Sequence, residues 1–346
     1  MVINLNINLF IILITVYVIN AIAPYKKPRS SNVPGNLYVD ESCIDCDACR
    51  WICPNVFNRI GIKSSVIKQP DGESETLQAY SAMIACPVGS IRTKTNDPLV
   101  KRALNIFPAE IDNVNIPGIY HMGYHSAESF GATSYLIKIN SSNNTIKNVM
   151  IDVPRFNSKL ANIVEDEGGI DLLVITHRDN IPHQQKWKDR FPKMTRVMHR
   201  TDLTSDTMNL EVKLEGGGPW YPYGNDAGFK IIHTPGHTAG SLCIYRETKG
   251  EYGGDIVLLT GDHLAYSNSR KALEGFKRYN QGNVMVQGEM IKALATDDLP
   301  FTWILPSHGR MAKFSSVEEK NELVLKAYKD FMAEDELIGR FSIGYT

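Results

Sequence analysis

The sequence has no excess of charge of either sign and few cysteines. Its 346 residues include 37 Lys and Arg against 38 Asp and Glu, which gives a formal charge of −1 at pH 7. This balance argues against a general nucleic-acid-binding protein, because such a protein needs a basic face. The six cysteines are too few for a disulfide scaffold of this length. With 43% hydrophobic and 22% charged residues, the composition excludes disordered, collagen-like and multi-span membrane proteins.

Long apolar runs are also scarce, and the clearest one lies near the N-terminus. Residues 8–23 form an apolar run of 16 residues, which as a helix spans about 24 Å, short of the roughly 30 Å of a bilayer core. The run ends in Ala21-Ile22-Ala23, a pattern typical of signal cleavage, and a basic segment follows. We therefore expect residues 1–35 to be a presequence, with a single membrane anchor as the alternative.

Five of the six cysteines fall between positions 43 and 86. Four of them form the run Cys43-x2-Cys46-x2-Cys49-x3-Cys53, followed by proline, which is the spacing that holds a cubane iron–sulfur cluster. Three thiolates on one tight loop can bind three irons, so a remote cysteine must supply the fourth ligand. Cys86, which is also followed by proline, fits that role.

The cysteine segment resembles bacterial-type ferredoxins. A two-cluster ferredoxin repeats the run, but this chain has Thr76, Ala79 and Ala82 where the further cysteines would stand, which leaves Cys53 without partners. A [3Fe–4S] form, a zinc site and a disulfide pair are the alternatives to a single [4Fe–4S] cluster. The resemblance implies a ferredoxin-like domain over residues 36–100, with one [4Fe–4S] cluster held by Cys43, Cys46, Cys49 and Cys86.

The presequence and the cysteine motif together favour a plastid location. Thiolate-bound clusters do not last in an oxidising secretory compartment. A chloroplast or other plastid that is reached through the secretory route reconciles an export-like presequence with a ferredoxin motif. Retention in the secretory pathway, or at a membrane through a single anchor, is the alternative. After removal of the presequence we expect no association with a membrane.

The pattern changes after residue 100 to short apolar strands separated by helices. Residues 135–139, 149–152, 171–175 and 255–259 are typical of buried strands bounded by turns. Several of them end on a polar residue that is next to His or Asp. Because open α/β folds place their sites at the carboxyl ends of strands, we expect these side chains to lie at one rim.

Four segments at these rims carry histidine and aspartate: residues 174–183, 233–241, 259–263 and 304–310. In order and spacing they resemble the metallo-β-lactamase superfamily, and the T-P-G-H-T-x-G-S block is the most specific of them. The resemblance implies an αββα sandwich over residues 101–346, and thus an α+β chain with an N-terminal ferredoxin-like module. The combination is most similar to uncharacterised ferredoxin-fused metallo-β-lactamase proteins of plants, algae and bacteria.

The resemblance also implies a metal site built from imidazole nitrogens and carboxylate oxygens, which zinc and iron both accept. The first segment departs from the usual H-x-H-x-D-H run, because Asp179 replaces the second histidine and Pro182 replaces the aspartate. Proline cannot bind a metal, so we expect one zinc or iron ion, with two as the alternative. The predicted ligands are His177, Asp179, His183, His237, Asp262 and His308, of which Asp262 is also the predicted catalytic residue.

Three functions are compatible with these motifs. The first, which we expect, is metal-dependent hydrolysis of a small (thio)ester-like substrate by metal-bound water, since a bound metal makes water a nucleophile near neutral pH; the other two are alternatives. The second is a cluster-linked oxidoreductase or electron-transfer protein. No glycine pattern for flavin or nicotinamide is present, so its electron donor or acceptor would be external. The third is a binding protein whose second domain has lost catalysis. We expect an enzyme with a small-molecule substrate and no nucleic-acid partner.

Overall fold

The computed structural model describes residues 26–140, 145–248 and 254–333. Residues 1–25, and with them most of the predicted presequence, lie outside the described residues. Within the described ranges, no helix combines the length and the apolar character that crossing a membrane requires.

The cysteine motif lies in a small N-terminal unit. Its elements are β1 (Leu37–Val39), α1 (Ala48–Ile52), β2 (Phe57–Ile60), β3 (Lys63–Val66), α2 (Gly72–Ala85), β4 (Ile91–Thr93) and α3 (Leu99–Ala103). Strands β1 and β4 pair antiparallel, and β2 and β3 form a hairpin. The unit has its own core, in which Leu37, Val39, Phe57 and Tyr80 pack around the cysteines. This arrangement brings the end of α2, where Cys86 lies, next to the loop before α1.

A seven-stranded mixed sheet follows. Its strands are β5 (Ala109–Glu110), β6 (Ile119–His121), β7 (Tyr135–Asn140), β8 (Ile146–Ile151), β9 (Leu172–Val174), β10 (Thr195–His199) and β11 (Val212–Leu214), and its helices are α4 (Ser158–Asp166) and α5 (Gln184–Arg190). The strand order is the reverse of the chain order, from β11 to β5. Strands β8 to β11 are parallel, so their carboxyl ends share one edge of the sheet.

The rest of the chain forms a five-stranded sheet in the order β12-β13-β14-β17-β18. The elements are β12 (Phe229–His233), β13 (Leu242–Glu247), β14 (Ile256–Gly261), β15 (Ala265–Ser267), β16 (Ala272–Glu274), α6 (Val284–Thr296), β17 (Trp303–Pro306), β18 (Ala312–Lys313) and α7 (Val317–Ala333). Strands β15 and β16 form a separate hairpin. Strands β12, β14 and β17 run in one direction, because β12 and β14 are both antiparallel to β13 and β17 is parallel to β14.

The two large sheets pack face to face. Their shared core joins residues such as Ile137 and Val174 of the first sheet to Ile244 and Leu259 of the second. The opposite face of the first sheet packs against α4 and α5, and the opposite face of the second packs against α6 and α7. Alternating burial along the strands produces these layers, because successive side chains point to opposite faces. The predicted αββα sandwich behind a ferredoxin-like module is confirmed.

Candidate metal centre and cluster site

The four cysteines predicted to hold the cluster line one cavity. Cys43, Cys46 and Cys49 come from the loop before α1 and its first turn, and Cys86 follows the last residue of α2. All six cysteines are free thiols, so the disulfide alternative does not describe this structure. Cys53 is fully buried but does not line this cavity. The structure therefore gathers the four predicted ligands and leaves the fifth cysteine of the motif outside.

The electrostatics of this cavity suit a positively charged group between the sulfurs. Burial raises the pKa of Cys46 to about 12 and also raises the pKa of Cys49. Thiolates are the ligand form, and iron must supply the charge that stabilises them there. Backbone N–H groups of Asp45 and Ser90 donate to the sulfurs of Cys43 and Cys86 at 3.5 and 3.3 Å. Such hydrogen bonds tune the potential of a bound cluster.

Three of the six predicted metal ligands converge in the sandwich. The ligand atoms of His177, His237 and Asp262 all lie within 4.8 Å of one another, and this is the one such group in the ranges that the structure describes. Asp262 Oδ2 lies 3.5 Å from His177 Nε2 and 3.7 Å from His237 Nε2. The three residues follow β9, β12 and β14, whose carboxyl ends meet at one rim. The two sheets are close there, since a Cβ added at Gly261 would lie 2.9 Å from the side chain of Thr176.

The centre leaves buried nitrogens without partners. His177 Nε2 and both ring nitrogens of His237 are inaccessible to water and make no hydrogen bond. Burial lowers the pKa of His237 to about 4, so its imidazole is neutral and its lone pair is free. Burial acts in the same direction on His177, but the charge of Asp262 outweighs it and raises the pKa of His177 to about 9. Unpaired nitrogens beside a carboxylate are the donor set that a divalent cation completes.

Two buried aspartates that the sequence argument missed support the ligands. Asp152 follows β8 and accepts hydrogen bonds from Thr176 N, Thr176 Oγ1, Asn180 Nδ2 and Ser307 Oγ at 2.5 to 2.9 Å. Thr176 Oγ1 in turn lies 3.0 Å from Nδ1 of His177. Asp152 therefore ties the loops that carry His177 and His308. Its signal was present in the sequence, because it is the polar residue directly after a buried strand.

Asp202 is the second such residue. It is fully buried after β10 and accepts hydrogen bonds from Thr238 Oγ1 at 2.6 Å, from Gly240 N at 2.8 Å and from Arg178 N at 3.0 Å. These donors flank His177 and His237 in the chain. Asp202 therefore fixes the loop that carries the first histidine against the loop that carries the second.

We expect Asp152→Asn to lower the free energy of unfolding by about 3 kcal/mol, because an amide NH2 would face buried donors that the carboxylate now accepts. Denaturant unfolding followed by circular dichroism measures this change. The matched control is Asp166→Asn, at an exposed position at the end of α4, which should leave stability unchanged. Equal stability of the two variants would contradict the role given to Asp152.

The other three predicted ligands lie beside the centre, which differs from the prediction. Asp179 is half exposed, its Oδ2 lies 3.9 Å from His177 Nε2, and it accepts a hydrogen bond from Gln281 Nε2 at 2.5 Å. His183 Nε2 pairs with the carboxylate of Glu128 at 3.0 Å. The segment from His177 to His183 is one residue longer than the H-x-H-x-D-H run and contains Pro182, so the loop takes a different path, and His183 adopts a positive φ of 67°.

His308 also differs from its predicted role. Its Nδ1 lies 2.8 and 2.9 Å from the two carboxylate oxygens of Asp262, and its Nε2 lies 3.0 Å from the carbonyl oxygen of Ser129. Both ring nitrogens therefore face oxygens of the protein. In this arrangement His308 orients the carboxylate of Asp262 and is not one of the three converging ligands.

The metal centre and the cluster cavity adjoin each other. A cavity of about 1660 Å³ lies over the centre, and its walls include His237, Asp262, His308 and Cys46. Cys46 also lines the cluster cavity. Arg310, two residues after His308, forms a bidentate ion pair with Asp47 at 2.8 and 3.0 Å across the boundary between the two units. One wall of the pocket is therefore part of the cluster-binding loop.

The N-terminal unit matches a known family. Residues 39–93 match the family described as the 4Fe-4S single cluster domain of Ferredoxin I. This match covers the four gathered cysteines and confirms the expectation of a single cluster. The chain therefore joins a single-cluster ferredoxin domain to an αββα sandwich, which is the fusion that the sequence resemblance predicted.

Two solved structures illustrate what this chain is similar to in fold. ETHE1 from Myxococcus xanthus is 19% identical with a TM-score of 0.43, over 63% of this chain and 89% of that one. The subclass B3 metallo-β-lactamase BJP-1 of Bradyrhizobium japonicum is 14% identical with a TM-score of 0.45, over 69% of this chain and 97% of that one. No curated protein matches the sequence.

Proposed function

We propose that this protein is a metal-dependent oxidoreductase in which the cluster passes single electrons between an external carrier and a small molecule in the large pocket. The observation that carries the proposal is the position of Cys46, which lines both the cluster cavity and the pocket over the metal centre. A cluster held by that cysteine has an edge at the pocket wall. A cluster with a purely structural role would have no need of this adjacency.

The donor set supports the same proposal. Two histidines and one carboxylate around open positions are typical of mononuclear non-haem iron. His177, His237 and Asp262 would hold such a metal, and the four gathered cysteines would hold the cluster. When bound, the two groups would supply one-electron redox chemistry on either side of the pocket wall.

The protein's own residues supply orientation and charge. Asp152, through Thr176, holds His177 in one orientation, and His308 holds Asp262. At the cluster loop, the buried Arg50 guanidinium contacts Asp45 at 2.6 Å and also pairs with Asp47. Arg59 also pairs with Asp45 at 2.7 Å and Arg310 with Asp47 at 2.8 Å, so three guanidinium groups offset the two carboxylates of the loop beside the pocket.

Hydrolysis of a small (thio)ester-like substrate is the second candidate, and Asp179 favours it. This carboxylate is 42% exposed and lies 3.9 Å from His177 Nε2, where it can accept a proton from an attacking water. The water oxygen would form the new bond to the carbonyl carbon, the C–O or C–S bond would break, and the proton would pass to the leaving group.

Metal analysis separates the two candidates. The protein is purified anaerobically, and Fe, Zn, Mn and acid-labile sulfide are counted per chain. We expect a fifth iron beyond the four of the cluster and no turnover of p-nitrophenyl acetate. Four irons with one zinc and ester turnover would favour hydrolysis instead. Four irons with no other metal would contradict both candidates.

A further inference from the structure

We propose that the cluster-binding loop positions the metal ligand Asp262 through a connector formed by Ser129, Gly131 and His308. The consequence is an order of assembly: the metal centre reaches its full affinity only when the cluster loop is in place. The inference rests on the proposed function only in taking His177, His237 and Asp262 as the metal ligands. It needs no assumption about the reaction.

The connector begins at the cluster ligand Cys46. A Cβ atom added at Gly131 would lie 2.8 Å from the Cβ of Cys46 and 3.2 Å from its sulfur. Gly131 also has a φ of +86°, a conformation that residues with a side chain rarely adopt. Both facts mean that the backbone of residue 131 is in van der Waals contact with Cys46 and that glycine alone fits between them.

Two buried histidines hydrogen-bond to each other, and one of them also binds the connector beside Cys46. The carbonyl oxygen of Gly131 accepts a hydrogen bond from His125 Nδ1 at 2.7 Å, which fixes the proton of this imidazole on Nδ1. His125 Nε2 then accepts from His121 Nε2 at 2.8 Å. The ring of His121 lies 4.8 Å from that of Trp51 in α1, the helix that carries the cluster ligand Cys49. The connector is therefore tied to the cluster domain at two points.

The connector ends at the metal centre. The carbonyl oxygen of Ser129 accepts a hydrogen bond from His308 Nε2 at 3.0 Å, and His308 Nδ1 donates to Asp262 at 2.8 Å. Both ring nitrogens of His308 therefore lie within hydrogen-bond distance of protein oxygens, one on the connector and one on the metal ligand. His308 is therefore a positioning residue, and a displacement of residues 129–131 reaches Asp262 through two hydrogen bonds.

A double-mutant cycle on Co²⁺ binding tests the connector. The second-domain metal is removed with a chelator under anaerobic conditions, the cluster is retained, and Co²⁺ is titrated by its visible absorption. We expect one Co²⁺ per chain in the native sequence. Gly131→Ala and His308→Gln should each weaken binding by about tenfold, the low end of the loss when groups behind a metal ligand are removed. The double variant should bind Co²⁺ no more weakly than His308→Gln alone, because both changes break the same connection.

The matched control is Gly216→Ala. Gly216 has a φ of +81° but nothing within 4 Å of an added Cβ, so it reproduces the backbone strain without a contact at Cys46. We expect it to bind Co²⁺ as the native sequence does. If Gly131→Ala does not retain its cluster, the cluster-free variant Cys86→Ser takes its place in the cycle. We expect Cys86→Ser to lower the affinity for Co²⁺ by the same tenfold. In the His308→Gln background it should lower the affinity no further.

Three outcomes would overturn the connector. Two Co²⁺ per chain that fall to one in His308→Gln would make His308 a ligand. Additive losses in the double variant would mean that residues 131 and 308 act separately. Unchanged affinity in Gly131→Ala and in the cluster-free variant would mean that the loop does not position Asp262. If the protein as purified contains zinc and no fifth iron, the oxidoreductase proposal is overturned. The Co²⁺ affinities that test the connector do not depend on that result.

Discussion

Replacing His237 by alanine is expected to lower the affinity of the second domain for its metal by more than 100-fold, because even the removal of groups behind a ligand costs about 10 to 100-fold. His237 is 1% exposed and neither of its ring nitrogens has another partner, so nothing nearby can take over its role. Metal analysis of the anaerobically purified variant should show the four irons of the cluster and no further metal. Turnover should fall to background with the lost metal.

The control for this change is His233→Ala. His233 ends β12, four residues before His237, and its Nε2 lies 3.0 Å from the carbonyl oxygen of Ala239 while its ring stacks on His199. It is outside the group of converging ligands, so its removal should leave the metal content intact. A second-domain metal that persists in His237→Ala would show that the three-residue centre is not the metal site.

Replacing Cys86 by serine is expected to remove the cluster, with the loss of its visible absorption and of four irons and four sulfides per chain. Cys86 is the one ligand that does not come from the loop before α1 or the first turn of α1, and its sulfur is 3.3 Å from Ser90 N. Serine oxygen is a poor substitute for the soft thiolate that iron–sulfur clusters prefer. Under the oxidoreductase proposal, reduction of substrate should stop in this variant, whereas a hydrolase should keep its ester turnover.

Cys53→Ser is the matched control for the cluster. Cys53 belongs to the same motif and is fully buried, but its side chain lies outside the cavity that the other four cysteines line. We expect this variant to keep four irons per chain and an unchanged spectrum of the reduced cluster. Loss of the cluster in Cys53→Ser, with retention in Cys86→Ser, would exchange the two residues' roles.

The residues of the two sites can be predicted from the sequence to different extents, for a physical reason. Three cysteines within seven positions of one loop are neighbours in space whatever the rest of the chain does, so their spacing predicted a shared cluster. The metal ligands come from strands far apart in the chain. Their residue types and positions after buried strands predicted a rim, but the loop conformation decides which side chains converge. His183 and Asp152 both have a positive φ. Residues other than glycine rarely adopt this conformation, so the sequence gives no reason to predict it at these positions.

The sequence by itself determined the cysteine motif and the rim where polar residues gather, because these depend on local spacing and on the alternation of apolar side chains, whereas the resemblance to known families implied the layered sandwich and the set of four cysteines. Only the tertiary structure decided that His177, His237 and Asp262 converge while His308 supports Asp262. It alone placed Cys46 in the wall of the pocket. That contact joins residues from two separately packed cores, and no periodicity within either part of the chain encodes how the two surfaces meet.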